Sequence, residues 1–262
     1  MNHDLSRRLI LGFALVAALF FLAMVAFHPW LALAVLFLSH MLLLYPTLVA
    51  NSQWWGPVIT HFETSRREVW LTIDDGPYHL HTPRLLEILR QFDAKATFFV
   101  IGRRVEAYPA EFAAIRAEGH EIGNHTATHP AAIFWCQPPR RIGAEIDGCK
   151  VDARYFRAPA GMKNPFVHPA LRRRNLRLIG WSVRGLDTVK NNPEAIAARV
   201  LKRVRPGAIL LLHEAHHLSD PEFHPRCLEL TLRCLTSEGY RCVFPAPEQL
   251  RPRGGGRQRD GY

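Results

Sequence analysis

The chain opens with two long apolar runs and then changes character. Residues 9–27 are nineteen apolar positions in a row; as a helix they would extend about 28 Å, close to the thickness of a bilayer core. His28-Pro29-Trp30 interrupts the run. Residues 31–50 form a second apolar run, broken only by Ser39, His40 and Thr47, with Pro46 near its end. No Asp, Glu, Lys or Arg occurs between residues 9 and 62. This pattern predicts a two-helix membrane hairpin behind a polar head, residues 1–8. A signal peptide is the competing reading of the first run; its length, the second run behind it and the lack of a small-x-small cleavage site argue against that. His40 is expected to be neutral, near an interface or a helix contact. Residues 51–65 hold Trp54, Trp55, Gly56 and Pro57 and are expected to form a linker among the lipid headgroups, where tryptophans are favoured.

From residue 66 onward the period alternates between 2 and 3.6. Strands are expected at 69–73, 96–100, 121–124, 155–158, 178–183, 208–213 and 240–244. Helices are expected at 82–91, 109–118, 139–151, 167–174, 193–204 and 225–237. Several of these begin with Pro or a capping residue and end near Gly or Asn, as at Glu118-Gly119 and Arg174-Asn175. The alternation predicts an α/β fold, a distorted or incomplete barrel of about seven parallel strands, over residues 66–250. Residues 251–262, basic and rich in glycine, read as a disordered tail.

Charge adds one constraint. The net charge is +10 and the isoelectric point about 9.8, yet there is no zinc-finger spacing and no basic stripe interleaved with aromatics, so nucleic acid is not an expected partner. The five cysteines, Cys136, Cys149, Cys227, Cys234 and Cys242, include no CxxC. They read as buried apolar side chains and lean toward a reducing compartment.

Four clusters carry chemistry, each at the C-terminal end of an expected strand, where α/β folds place it. The first is Asp74-Asp75-Gly76-Pro77 after the apolar strand 69–73. Adjacent carboxylates repel and need a metal, an arginine or a retained proton. The second holds His125 and His129, four residues apart; on one helical turn both imidazoles would face the same way. With Asp75 they would make a two-histidine, one-carboxylate face with open positions for water and substrate. The third is Arg157-Ala158-Pro159-Ala160-Gly161, an arginine that could pair with the other carboxylate, followed by a turn with free backbone N–H groups. The fourth is Leu211-Leu212-His213, a histidine ending a fully apolar strand. His216 and His217 read as loop residues.

In this order the clusters resemble the polysaccharide deacetylase family, the NodB-like domain of carbohydrate esterases. Thr72–Pro77, His125–His129, Arg157–Gly161, a segment around Trp181–Asp187 and Leu211–His213 correspond to its five motifs. The resemblance implies that Asp74 is the general base and that Asp75, His125 and His129 hold a divalent metal, zinc by ligand type. It implies that Arg157 orients Asp74, that His213 is the general acid, that Leu211 lines the acyl pocket, and that the metal and a backbone N–H near Ala160 hold the oxyanion. The chain departs from the pattern in places. Ile73 replaces the usual Phe, Ala160 stands where the family usually has a large aromatic, and the fourth motif lacks its usual acidic and tryptophan pattern. Asp187 is the residue expected to orient His213. Arg184 in place of an acid makes the cleft more positive, which suits an anionic substrate such as a phosphate-linked sugar.

The resemblance and the hairpin together imply removal of an acetyl or formyl group from an amino sugar of a glycan or a lipid carrier. Membrane lipid is the other expected partner. Arg7 and Arg8 favour a cytoplasmic N-terminus, and two spans return the chain to that side of a bacterial-type inner membrane. Two rivals stay open: a non-haem iron oxygenase, which uses the same ligand types, and an inactive sugar-binding descendant.

Overall fold

The structure, a computed structural model, describes residues 3–214 and 220–250; the expected loop residues His216 and His217 and the tail 251–262 lie outside them. Two antiparallel helices come first, α1 (His3–Met24) and α2 (Pro29–Leu48), joined by a short turn with Pro29 in the first turn of α2. The expected polar head is helical from His3 on, continuous with α1. Both helices are long and apolar enough to cross a membrane, and their side chains are mostly exposed. The polar groups inside α2 bond back to its own carbonyls: Ser39 Oγ donates to Leu36 O at 2.7 Å and Thr47 Oγ1 to Leu43 O at 2.7 Å.

The remainder is a curled half-barrel of parallel strands with helices outside. In chain order the strands are β1 (Glu68–Gly76), β2 (Ala96–Val100), β3 (Glu121–Asn124), β4 (Tyr155–Phe156), β5 (Arg177–Leu178), β6 (Val183–Arg184), β7 (Ala208–His213) and β8 (Arg241–Cys242). Their spatial order is β5-β4-β3-β2-β1-β7-β6, with β8 on the start of β1. The helices are α3 (Thr82–Gln91), α4 (Gly102–Ala107), α5 (Pro109–Ala117), α6 (Pro139–Asp147), α7 (Val167–Arg172), α8 (Pro193–Arg203) and α9 (Phe223–Ser237). The strand expected at 178–183 is two strands, β5 and β6, split at Gly180-Trp181-Ser182. Helix α4 was not expected; its six residues are too few to show a 3.6-residue period.

Strand alternation sorts the core. Val69, Leu71 and Ile73 of β1 face the helices, together with Leu85, Leu89, Leu210 and Leu212. Trp70 faces the barrel interior, against Phe99, Tyr155, Ile179 and Ile209. Its indole N–H donates to Thr97 Oγ1 at 2.7 Å, so the buried donor is satisfied.

The segment expected to lie among headgroups is instead largely built into this fold. Trp55, Val58, Ile59 and Phe62 are buried. Ile59 bridges to Ile179 in parallel and His61 to Ala208 in antiparallel fashion. The segment thereby crosses the open side between β5 and β7 and covers backbone groups that an open sheet edge would expose. Pattern reading missed this because Trp, Ile and Phe suit a core as well as an interface. The cysteines also divide: Cys149 and Cys227 are buried as expected, whereas Cys136 is exposed.

Gly207 anchors that crossing segment. Its φ is +78°, its carbonyl accepts from Phe62 N–H at 2.9 Å, and a Cβ would stand 2.0 Å from Phe62 O. Gly207→Ala is therefore expected to cost about 2–4 kcal/mol. Thermal unfolding followed by circular dichroism should show a midpoint lower by roughly 5–15 °C; an unchanged midpoint would mean the segment is not held at this point.

Candidate active site

Two consecutive residues of a strand normally point to opposite faces. Asp74 and Asp75 escape this rule through a bulge. Asp74 pairs with Phe99 and Gly76 with Val100, leaving Asp75 as the extra residue of β1. Its φ of 73° turns it out of the pleat. Both carboxylates then approach one imidazole: His125 Nε2 lies 3.6 Å from Asp74 Oδ2 and 3.4 Å from Asp75 Oδ1.

The histidine pair reaches the same point by a route the sequence did not suggest. Residues 125–129 are a loop, not a helical turn, with Thr126 at φ 72° and His129 at φ 54°. Two clamps shape it. Asn124 Oδ1 accepts from Thr126 N–H at 2.9 Å. Glu145 takes Thr128 N–H at 3.0 Å and Thr128 Oγ1 at 2.8 Å. The ring centroids of His125 and His129 are 4.7 Å apart, and His129 Nε2 lies 3.3 Å from Asp75 Oδ1.

One ligand atom from each of Asp75, His125 and His129 lies within 4.8 Å of the others. His125 Nδ1 sits 2.8 Å from Arg157 O, and a carbonyl only accepts, so Nδ1 carries the hydrogen and Nε2 offers its lone pair to the cluster. Two imidazoles and a carboxylate, one tautomer fixed from behind, fit a divalent cation of the zinc type. Burial opposes charging His125, but Asp74 and Asp75 outweigh it and hold its pKa above the ordinary value. A cation seated there would take the place of that proton.

Arg157 is fully buried at the end of β4. Its Nη1 donates to Asp74 Oδ1 at 2.6 Å and to Thr72 Oγ1 at 2.8 Å, its Nη2 to Gly180 O at 3.0 Å and its Nε to Ile179 O at 3.3 Å. The guanidinium lies 4.1 Å from the centroid of Phe99. Arg157 thus occupies one oxygen of Asp74 and leaves Oδ2 toward His125. Ala160 sits in the following turn at φ 53°, exposed, between buried Pro159 and Gly161.

His213 stands beside Asp74 because β1 and β7 pair Asp74 with His213 and Thr72 with Leu211. Leu211 is buried. Asp187 accepts His213 N–H on Oδ2 at 2.6 Å, and its Oδ1 lies 3.0 Å from His213 Nδ1. Burial alone would lower the His213 pKa; Asp187, with Asp75 and Asp74 adding, raises it to about 9. Burial would raise the Asp187 carboxyl, but His213 and His224 hold it below the usual range.

Sequence reasoning missed a layer behind the acids. Glu214 is fully buried and burial pushes its carboxyl up to about 8. Its Oε2 accepts from Thr82 Oγ1 at 2.8 Å, and its backbone carbonyl pairs with His81 Nδ1. A Cβ on Gly76 would stand 1.3 Å from Glu214 Oε1, so the glycine of the first cluster is needed for close approach. His224 Nδ1 lies 3.8 Å from Asp187 Oδ2. The adjacency of Glu214 to His213 was visible in the sequence; its inward direction was not.

The His213–Asp187 pair sets a pH dependence. Its stabilisation is full above the usual carboxylate range and below 6.5, and is lost as pH rises through about 9. Histidine NMR should therefore show His213 titrating well above 6.5, and Asp187→Asn should bring that midpoint down by at least one unit, or about 1.4 kcal/mol. An unmoved midpoint would refute the pairing.

With this geometry in view, the relatives can be placed. Residues 61–179 match the polysaccharide deacetylase family. A chitooligosaccharide deacetylase of Bradyrhizobium sp. (strain ANU 289) is 34% identical over 188 residues, covering 69% of this chain and 84% of that protein. A peptidoglycan-N-acetylglucosamine deacetylase of Bacillus cereus is 33% identical over 197 residues, covering 72% and 91%. Among solved structures, a peptidoglycan N-acetylglucosamine deacetylase bound to 4-naphthalen-1-yl-N-oxidanyl-benzamide superposes with a TM-score of 0.66 at 28% identity, covering 73% of this chain and 91% of that one. A CE4 family pseudoenzyme from Bacillus anthracis superposes with a TM-score of 0.62 at 26% identity, covering 70% and 65%. On the extent of these matches, this chain belongs to the polysaccharide deacetylase family.

Proposed function

We propose that the protein is a metal-dependent hydrolase that removes an N-acetyl or N-formyl group from an amino sugar of a glycan or of a lipid-linked sugar. As a member of its family it is a hydrolase acting on the carbon–nitrogen bond of N-acetyl amino sugars. The observation that carries the metal-dependent reading is the convergence of Asp75, His125 and His129 within 4.8 Å, with Asp74 Oδ2 3.6 Å from His125 Nε2. Fold alone would not carry it, since a pseudoenzyme shares the fold.

Asp75, His125 and His129 would hold a divalent cation, zinc by ligand type, which when bound would polarise the acyl carbonyl and lower the pKa of water. Asp74 accepts the proton of the attacking water on Oδ2, because Arg157 occupies Oδ1. The Arg157 contact at 2.6 Å orients Asp74 in a buried setting. Ala160 N–H donates to the oxyanion, and Leu211 lines the space for the acyl methyl. His213, charged beside Asp187, protonates the departing amine, without which an amide does not cleave. The pairing of Asp74 with His213 across β1 and β7, a base beside an acid, favours hydrolysis over the oxygenase chemistry that the same ligand types also allow. The apolar helices α1 and α2 serve as an anchor in a bacterial-type inner membrane, and Arg7 and Arg8 at the start of α1 favour a cytoplasmic domain.

Amine release from an N-acetylchitooligosaccharide tests the chemistry. Chelation should abolish it and zinc restore it. Asp75→Ala should lose both metal, by elemental analysis, and turnover. Asp74→Asn should keep the metal and lower kcat by roughly 10²–10⁴. Turnover by the metal-free protein, or by Asp74→Asn at the parent rate, would overturn the proposal.

A further inference from the structure

The hairpin is not a tether at a distance from the catalytic domain. Thr47 O at the end of α2 accepts Lys163 N–H at 3.1 Å. Lys163 is fully buried, and its Nζ donates to Val49 O at 3.1 Å and Ala50 O at 2.7 Å, the carbonyls just past the end of α2. Trp55 Nε1 donates to Thr47 Oγ1 at 3.2 Å. A Cβ on Gly161 would meet Ala50 Cβ at 2.4 Å, so the turn that presents Ala160 lies directly on the helix end. Asn51 Nδ2 donates to Trp181 O at 2.7 Å, one residue beyond the Gly180 carbonyl that holds Arg157. The start of α1 reaches the same face, where Arg7 Nη1 donates to Pro165 O at 3.4 Å.

Both domain-side ends of the hairpin therefore meet the rim of the cleft. The side chains next to it are apolar and exposed. Phe166, beside Pro165, is 44% exposed, and Ile133, four residues after His129, is 50% exposed. Asn164 joins the two segments, donating from Nδ2 to Gln137 O at 2.9 Å and accepting Phe166 N–H at 3.0 Å. Exposed apolar side chains at the level where two spans leave the membrane match the headgroup–acyl boundary.

We infer that the mouth of the cleft lies on the bilayer surface, with Phe166 and Ile133 dipping into it, and that the site takes its amino sugar from an amphiphile seated in the membrane. The substrate class rests on the deacetylase reading above; the placement of the surface does not. Ala160, small and exposed, leaves the membrane side of the cleft open to such a headgroup.

Two measurements separate these claims. In nanodiscs of brominated phosphatidylcholine, the added emission of Phe166→Trp should be quenched. That of Arg90→Trp, on the exposed end of α3 remote from the catalytic strand ends, should not. Quenching of neither, or of both alike, overturns the placement. Amine release is then compared for a long-chain alkyl N-acetylglucosaminide in vesicles and for N-acetylchitotetraose in solution. The double variant Phe166→Glu with Ile133→Glu should lower turnover of the first at least tenfold and leave the second within twofold. Equal effects on both overturn the membrane-substrate inference and leave deacetylation standing. Release from neither by the zinc-loaded parent protein overturns the deacetylase reading, while the quenching still decides the surface.

Discussion

A single buried guanidinium ties the site together. Arg157 comes from the end of β4, yet it donates four hydrogen bonds, to β1 through Thr72 and Asp74 and to the β5–β6 crossing through Ile179 and Gly180. A charge taken this far out of water is tolerable only when paired and fully hydrogen-bonded. Removing either partner would leave the other buried without its counter-charge, which costs about 3–5 kcal/mol. The same contact that satisfies the arginine orients Asp74 and leaves its Oδ2 toward His125. Stability and chemistry therefore draw on one interaction, and neither can be changed without the other.

Around that pair the backbone departs from regular structure wherever a side chain must be aimed. Asp75 bulges out of β1, and Thr126, His129 and Ala160 adopt positive φ without being glycine. Such conformations persist where the surroundings over-determine them. Here the surroundings are visible: Asn124 and Glu145 clamp the histidine loop, and Pro159 and Gly161 bracket Ala160. Behind the acids, Glu214 adds a carboxyl that burial pushes up to about 8, so near neutrality it packs against Gly76 without adding a negative charge.

The anchor and the enzyme share structure rather than a boundary. Residues expected to lie loosely at the membrane interface close the barrel through Ile59 and His61, and Lys163 binds the carbonyls where α2 ends. A helix leaves its last carbonyls without partners inside the helix. Lys163 holds the chain just past that terminus and so fixes the active-site turn against the end of α2.

Much of this was legible in the residues. The uncharged apolar runs were long enough for the two helices α1 and α2, each the length of a membrane span. The apolar run of β1 ending in two acids, and that of β7 ending in a histidine, marked the strand tips, because a buried parallel strand tolerates polarity only at its ends. What local pattern could not convey was direction. The pairing of Asp74 with His213 comes from the register of β1 on β7, and the joint aim of Asp74 and Asp75 from a bulge. The histidines converge through a loop whose dihedrals are set by Glu145 from another helix. Glu214, His81 and His224 became part of the site only when burial turned them inward. Residue type and spacing determined which groups were available and at which end of the sheet; long-range contacts, which no window of sequence contains, decided which of them meet.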